Sequence, residues 1–192
     1  MVGRKSIIFS VSYLFLTLSL MIPRPAPAEY HSFYHRYIEK IGDGDLMAVL
    51  AEQLVTLDRL LASAEDPSYR YAEGKWSIKQ VIGHMTDTER VMAYRLLAIA
   101  RGDQTSLPGF DENDYVDEAH FDEQSLPALH QAFVLARRAS IALIETLSPS
   151  VYANTGTANG SPTSVRALAY ILAGHAEHHL RLFRERYGLT DG

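Results

Sequence analysis

The sequence predicts an all-α protein, a bundle of four helices. Four segments of about twenty residues carry apolar side chains at three- and four-residue steps, the spacing that places them on one face of a helix. No segment shows the sustained alternation of apolar and polar residues that is typical of half-buried strands. Four amphipathic helices joined by three connections bury their apolar faces most simply as an antiparallel bundle.

The composition is that of an ordinary globular domain. Of the 192 residues, 47% are hydrophobic and 21% are charged, and there is no cysteine. The lack of cysteine excludes disulfides, thiolate metal sites and a cysteine nucleophile. The formal net charge of −5 makes the chain a poor candidate for binding phosphate backbones, so we expect no nucleic-acid partner.

The chain begins with an apolar segment. Residues 7–22 carry no charge, two basic residues precede them, and Ala26-x-Ala28 follows, which resembles a secretory signal. The segment is short for a bilayer span, which needs about 20 apolar residues, so we expect no stable membrane span. We favour the other interpretation, in which translation starts at Met21 and the apolar segment does not belong to the fold.

Both interpretations of the N-terminus divide the chain at the same residue. Residues 1–20 are predicted to be an apolar extension, and residues 21–192 a single domain. A start at Met21 predicts a cytoplasmic protein, whereas a true signal peptide over residues 1–28 predicts an exported one.

The first two helices have clear boundaries. The first is predicted over residues 45–64, where leucines and valines recur at helical spacing before an acidic, proline-containing turn. The second is predicted from Ser77 to Arg101, because Ser77 and Gln80 have the spacing of a capping box. The only tryptophan, Trp76, precedes this helix and is expected to pack at the mouth of the bundle as a core anchor.

The second half of the chain contains the other two helices. Residues 102–123 are predicted to be a long irregular connection, and connections of this length are usually functional or mobile. The third helix is predicted over residues 126–147. A turn region rich in Gly, Asn and Thr follows, and the sequence leaves open whether short strands form within residues 150–160. The fourth helix is predicted over residues 163–187, with Thr163 as its N-cap.

The fourth helix carries three histidines. His175 and His179 lie four residues apart and continue the apolar stripe that faces the bundle interior, so both can reach one metal ion. Burying two imidazoles without partners costs free energy, which favours a ligand role. His178 lies about 100° away from His179 around the helix and is expected at the flank. The pair His175 and His178 also has usable spacing, and this alternative stays open.

A third ligand comes from the second helix, where His84 occupies an inward-facing position. We expect Asp87 or Thr88, one turn later, to orient its second ring nitrogen, as most metal-bound imidazoles require. Three imidazoles without an anionic ligand leave coordination positions open, which is the layout of a catalytic centre. Such a set suits Zn, Ni, Fe or Co, and Zn is the first expectation.

Three stretches of the chain resemble the DinB / YfiT-like superfamily. In residues 74–90, Trp-Ser precedes a helix with the pattern His-x-x-Asp-x-Glu, and residues 174–179 read Gly-His-Ala-Glu-His-His. Residues 107–113, Leu-Pro-Gly-Phe-Asp-Glu-Asn, are similar to a loop in one branch of the superfamily. The resemblance extends over about residues 21–187.

The resemblance implies a fold and a metal site. The fold is a four-helix bundle with up-down-down-up connectivity, in which the long middle connection is a crossover. The metal ligands are His84, His175 and His179. The superfamily includes metal-dependent hydrolases and thiol S-transferases that use bacillithiol or a glutathione-like thiol.

Three functions follow as hypotheses. The first is a metal-dependent hydrolase for a small-molecule substrate, with Asp87 or Glu89 as the base that activates water. The second is a thiol S-transferase, in which the metal binds the thiolate of a low-molecular-weight thiol. The third is a non-catalytic, stress-related metal-binding bundle. A homodimer is compatible with each of them.

Overall fold

Four long helices form the protein, and shorter elements connect and cover them. The computed structural model describes residues 21–192, so the extension predicted over residues 1–20 lies outside the described residues. In chain order, the elements are α1 (His35–Ile38), α2 (Leu46–Ala62), α3 (Ile78–Ala100), α4 (Glu112–Ala119), α5 (Leu126–Glu145), β1 (Thr155–Ala158), β2 (Ser161–Ser164) and α6 (Val165–Glu185). The prediction of an all-α protein is confirmed, and within residues 21–192 no helix has the length and hydropathy that a bilayer span needs.

Side-chain caps define where the long helices begin. The carboxylate of Asp45 accepts two backbone N–H bonds at the start of α2, and Ser77 and Gln80 form the predicted capping box of α3. The N-cap of α6 is Ser164, so the prediction of Thr163 in this role is wrong. Thr163 instead belongs to β2, whose pairing the sequence does not predict. All four predicted helices agree with the observed ones to within two residues at each end.

Two core clusters at opposite ends of the bundle set the direction of each long helix. One cluster joins the first turns of α2 and α6 to the last turns of α3 and α5, as with Leu46 and Ile144. The other joins the opposite ends of the same helices, as with Leu57 and Leu129. Helices α2 and α6 therefore point one way and α3 and α5 the other. This is the up-down-down-up connectivity, with α3 packed on both α5 and α6.

The connection between α3 and α5 runs the length of the bundle, because these two helices point in the same direction. The prediction of an irregular stretch over residues 102–123 is wrong for its second half, which forms α4 and a 3-10 turn at Phe121–Glu123. Asp111 caps α4 through two backbone N–H groups, and α4 packs on α3 with Val116 buried. Eight residues with one buried apolar position carry too little periodicity to predict a helix.

A short hairpin connects α5 to α6. Strands β1 and β2 pair antiparallel, and Asn159 (φ 48°) and Gly160 (φ 73°) form the two-residue turn between them. Strand β1 lies within residues 150–160, for which the sequence left short strands open, and β2 follows directly after that range. The N–H of Leu107 donates to the carbonyl of Thr157, so the hairpin also holds the start of the crossover connection.

The segment before α2 packs along α6. Glu29 accepts hydrogen bonds of 2.7 and 2.6 Å from the guanidinium of Arg166, and these bonds lower the pKa of Glu29 to about 2. The Tyr170 hydroxyl donates to the carbonyl of Ile22 at 3.2 Å. The sequence predicts no structure here, because short turns held by single contacts have no hydrophobic period.

Two glycines let neighbouring segments approach the helices close to the predicted ligands. A Cβ atom at Gly174 would lie 2.3 Å from the carbonyl oxygen of Tyr37, so α1 can pack on α6 only because this residue is glycine. A Cβ atom at Gly83 would lie 2.4 Å from the ring of Phe121. Each glycine directly precedes a histidine of the candidate site described next.

Candidate metal centre

Three imidazole rings from α3 and α6 meet in the bundle interior. Nε2 of His175 lies 2.9 Å from Nε2 of His84 and 3.1 Å from Nε2 of His179. All three residues are buried, and their candidate ligand atoms lie within 4.8 Å of one another. Nitrogens bound to one tetrahedral ion, each about 2.0–2.1 Å from it, are about 3.3 Å apart. The described residues therefore contain a three-histidine group with nearly the spacing that one ion needs.

Hydrogen bonds between the three rings leave part of the hydrogen-bonding capacity of their nitrogen atoms unused. A neutral imidazole nitrogen carries either one hydrogen or one lone pair. Nε2 of His175 therefore cannot form a full hydrogen bond with both His84 and His179. Nδ1 of His179 is also buried and has no hydrogen-bond partner in the described part of the chain. A divalent ion accepts one lone pair from each Nε2 atom, so the donor set fits an ion better than it fits a hydrogen-bonded cluster.

Burial keeps the three imidazoles neutral. Desolvation is the largest cause: it lowers the pKa of His84 to about 4, and it lowers the pKa of His175 and of His179 well below the usual value. The neighbouring rings and the guanidinium of Arg137 lower the pKa of His175 further. The neutral imidazole is the form that binds a metal.

These lowered pKa values are expected to make the metal-free protein sensitive to acid. Between the ordinary pKa of 6.5 and the pKa of about 4 in folded His84, the unfolded state binds more protons, so stability falls as the pH drops. For His84 alone, the loss is about 3 kcal/mol at pH 4. Urea unfolding of chelator-treated protein from pH 7 to pH 4 measures it, and His84→Gln is the control with a shallower fall. Equal pH dependence in both proteins contradicts the prediction.

His178 lies outside the three-histidine group. Its half-buried ring packs against Tyr37 with centroids 5.4 Å apart, and it lies beside the ring of His179 at 5.0 Å. The sequence left open a pair made by His175 and His178. In the structure, the two ring nitrogens on α6 that meet belong to His175 and His179.

Aromatic side chains cover the group. The Tyr37 ring lies edge-on to His175 with centroids 5.4 Å apart, and the indole of Trp76 lies 4.7 Å from the ring of His84. Trp76 is partly exposed, and its carbonyl accepts a 2.6 Å hydrogen bond from the Tyr187 hydroxyl. It lies at the mouth of the bundle as expected, but it contacts His84 and is not only a core anchor.

Two cavities reach the histidine group from different sides. The first has a volume of about 300 Å³, contacts His84 and His175, and is lined mainly by apolar and aromatic side chains. The second has a volume of about 290 Å³, contacts His84 and His179, and is lined mainly by polar side chains. Tyr37 and Glu112 line both cavities. A bound ion would thus be accessible to ligands from two directions.

The two carboxylates that the sequence suggests as bases lie outside both cavities. Asp87 accepts a 3.1 Å bond from Arg90, and burial raises the pKa of Asp87. Glu89 is buried and forms a 2.8 Å ion pair with Arg137. Glu112, the first residue of α4, is the carboxylate that lines both cavities, and the sequence does not indicate it because it does not predict α4.

The second ring nitrogen of His84 is not oriented as expected. Thr88 Oγ1 is buried without a hydrogen-bond partner in the described residues, and the carboxylate of Asp87 bonds to Arg90 instead. The expectation that Asp87 or Thr88 holds this ring is therefore wrong. The indole of Trp76 restrains the ring by packing.

The fold and the histidine group together define a class of protein. It is an up-down-down-up helical bundle whose second and fourth long helices carry three buried histidines that could hold a divalent metal. The chain belongs to the DinB superfamily, whose family model matches residues 45–183. It is also similar to the solved structure of YfiT from Bacillus subtilis, described as a probable metal-dependent hydrolase with an unusual four-helix bundle topology. The TM-score is 0.67 at 14% identity, over 88% of this chain and 95% of YfiT, which shows a shared fold. Among curated proteins, none matches the chain.

Proposed function

We propose that the protein is a metal-dependent hydrolase of a small-molecule substrate, with His84, His175 and His179 as the metal ligands. The observation that carries this proposal is the meeting of three buried Nε2 atoms in the walls of two cavities. The description of YfiT as a probable metal-dependent hydrolase supports it. His84, His175 and His179 would hold a divalent ion, with Zn²⁺ the first candidate before Ni, Fe or Co, and such an ion would polarise a substrate and lower the pKa of a bound water.

The protein's own residues position the substrate and move protons. The carboxylate of Glu112 lines both cavities and is placed to accept a proton from water, so it replaces Asp87 and Glu89 as the first candidate base. Burial raises the pKa of Tyr37 above a value that already leaves tyrosine protonated near neutral pH, so its hydroxyl is able to donate a hydrogen bond to the substrate.

A thiol S-transferase is the second candidate, and the presence of two cavities favours it. A transfer reaction needs room for two reactants at one centre. The polar cavity carries the cationic side chains of Arg36 and Lys75, which suit an anionic low-molecular-weight thiol such as bacillithiol or a glutathione-like compound. The apolar cavity suits the acceptor.

Metal analysis followed by a substrate panel tests these candidates. The purified protein is expected to hold about one divalent ion per chain, and the loaded protein is assayed against esters, amides and an electrophile with and without added thiol. Ester or amide turnover supports the hydrolase, and thiol-dependent conjugation supports the transferase. Glu112→Gln is expected to lower hydrolysis about 100-fold or more, the usual contribution of a general base, without loss of metal. A loaded protein without any turnover favours the non-catalytic bundle.

A further inference from the structure

We infer that Arg95 binds an anionic group of the substrate, a carboxylate or a phosphate, at the far end of the first cavity. The reacting end of the substrate lies at the histidine group, and this part of the inference rests on the proposed function. The position of the anionic end follows from the surroundings of Arg95 and Thr88 and does not depend on a bound metal.

One face of α3 connects the two ends of the first cavity. His84, Thr88, Met92 and Arg95 follow one another at steps of four, four and three residues, so they share this face, and all four line the cavity. The axial rise between the first and the last is about 16 Å. The cavity thus has a metal-binding end and a cationic end.

The charge of Arg95 is buried without an anionic partner. The residue is 3% exposed, and no carboxylate of the described residues lies within ion-pair distance of its guanidinium. Nη2 donates to the carbonyl of Pro108 at 2.6 Å, and Nη1 meets only the weak acceptor Sδ of Met92 at 3.6 Å. The guanidinium carbon also lies 5.9 Å from the centre of the Phe110 ring, at the outer limit of a cation–π contact. A guanidinium has five N–H donors, so most of its capacity remains unused. Leaving a buried cation in this state costs free energy, which an anionic ligand offsets.

Thr88 provides an independent indication of a polar ligand. Its hydroxyl is buried in the wall of the same cavity, and it has no hydrogen-bond partner in residues 21–192. A ligand that lies along this face of α3 can satisfy this hydroxyl and the free N–H groups of Arg95 together. Between the polar groups, Met92, Phe110 and Ile171 offer an apolar surface.

These features define a ligand class. The volume of about 300 Å³ is at the small end of the usual range for ligand cavities. Glu112 lines the cavity too, but it is exposed and forms no ion pair with Arg95. The expected substrate is therefore a small molecule whose anionic group is separated from its reacting group by an apolar spacer. The planar guanidinium fork suits a bidentate carboxylate or phosphate.

Paired ligands that differ only at the far end test this inference in the full-length, metal-loaded protein. Suberic monohydroxamic acid and its terminal primary amide carry the same metal-binding hydroxamate, so their difference in Kd reports on the other end. We expect the carboxylate to bind about tenfold or more tightly than the amide. In Arg95→Gln the preference is expected to fall below about twofold, with the Kd of the amide unchanged within about twofold. Arg90→Gln, which removes an exposed arginine of the same helix, is the matched control and is expected to keep the preference.

Several outcomes overturn the inference. The first is an equal Kd for the two ligands in the unmodified protein. The second is an equal rise in the Kd of both ligands in Arg95→Gln, which would indicate that Arg95 only holds the Pro108 carbonyl. If Arg95→Gln does not fold, Arg95→Lys keeps the charge and removes the fork, and an intermediate preference is expected. An unchanged preference in Arg95→Lys contradicts bidentate binding.

A probe without a metal-binding group separates this inference from the proposed function. The Kd of 5-phenylvalerate is compared with the Kd of its primary amide, both in the protein as purified and in Arg95→Gln. A carboxylate preference that depends on Arg95 in a protein that holds no metal supports the inference and contradicts the proposed function. A metal-loaded, active protein with no such preference contradicts the inference alone.

Discussion

Replacing His84, His175 or His179 singly with alanine is expected to reduce bound metal from about one ion per chain to nearly none after dialysis. Each change removes one of three converging nitrogens and leaves two imidazoles, which hold a divalent ion weakly. Metal content is measured by elemental analysis, and unfolding of each chelator-treated variant is measured beside it. The second measurement shows that metal loss does not merely follow from loss of the fold.

His178→Ala is the matched control on the same helix. Its ring packs against Tyr37 and does not join the three meeting nitrogens, so metal content is expected to stay close to that of the unmodified protein. If His178→Ala loses the metal while His179→Ala retains it, the ligand pair on α6 is His175 and His178. That result would make the assignment of His179 wrong.

Replacing Arg137 with methionine is expected to destabilise the protein by about 3–5 kcal/mol, because it leaves a buried carboxylate without its partner. The guanidinium of Arg137 is fully buried between the four long helices, where it donates to Glu89 and Gln53 at 2.8 Å and to the carbonyl of Leu172 at 3.1 Å. Gln53 in turn donates to the carbonyl of Ala173, next to the turn of α6 that carries the candidate ligands. This network therefore joins all four long helices beside the histidine group.

A double-mutant cycle isolates the contribution of the ion pair. Glu89→Leu combined with Arg137→Met removes both charges, and we expect it to cost clearly less than the sum of the two single changes. Urea unfolding of the chelator-treated proteins measures each free energy. Arg90→Met removes the exposed pair with Asp87 and is expected to cost at most about 1 kcal/mol.

One further variant, Glu89→Gln, tests the role as a base that the sequence suggests for Glu89. The carboxylate of Glu89 is 3% exposed, is paired with Arg137 and lines neither cavity, so Glu89→Gln is expected to act on stability. Full loss of hydrolysis in Glu89→Gln, with stability and metal content unchanged, would restore Glu89 as the base.

The helices were predictable because the features that define them are local. The capping box of Ser77 and Gln80 lies within one turn, and the apolar spacing of each long helix repeats over about twenty residues. His175 and His179 stand out for the same reason, since they occupy apolar positions of a helical stripe. The resemblance to the superfamily independently indicated these two residues and His84.

Other features depend on contacts between distant parts of the chain, and no local sequence pattern predicts them. Helix α4 is short and acidic, and it is stabilised by packing on α3. The segment before α2 has no helical period, yet it brings Tyr37 against His175 through the close approach at Gly174. A glycine in a helix only weakens it locally, so its role becomes visible when its neighbour in space is known.

By itself, the sequence determined the four long helices, their caps to within two residues and the faces they bury, because helix propensity, capping and amphipathic spacing act over a few residues. The tertiary structure alone decided which side chains surround the histidine group. Burial paired Glu89 with Arg137, although the spacing of Glu89 on α3 also suits a base. The crossover connection between α3 and α5 placed Glu112 beside both cavities. A buried charge without an anionic partner distinguished Arg95 from Arg90, the exposed arginine of the same helix. These outcomes depend on desolvation and on long-range contacts, which exist only once the chain has folded.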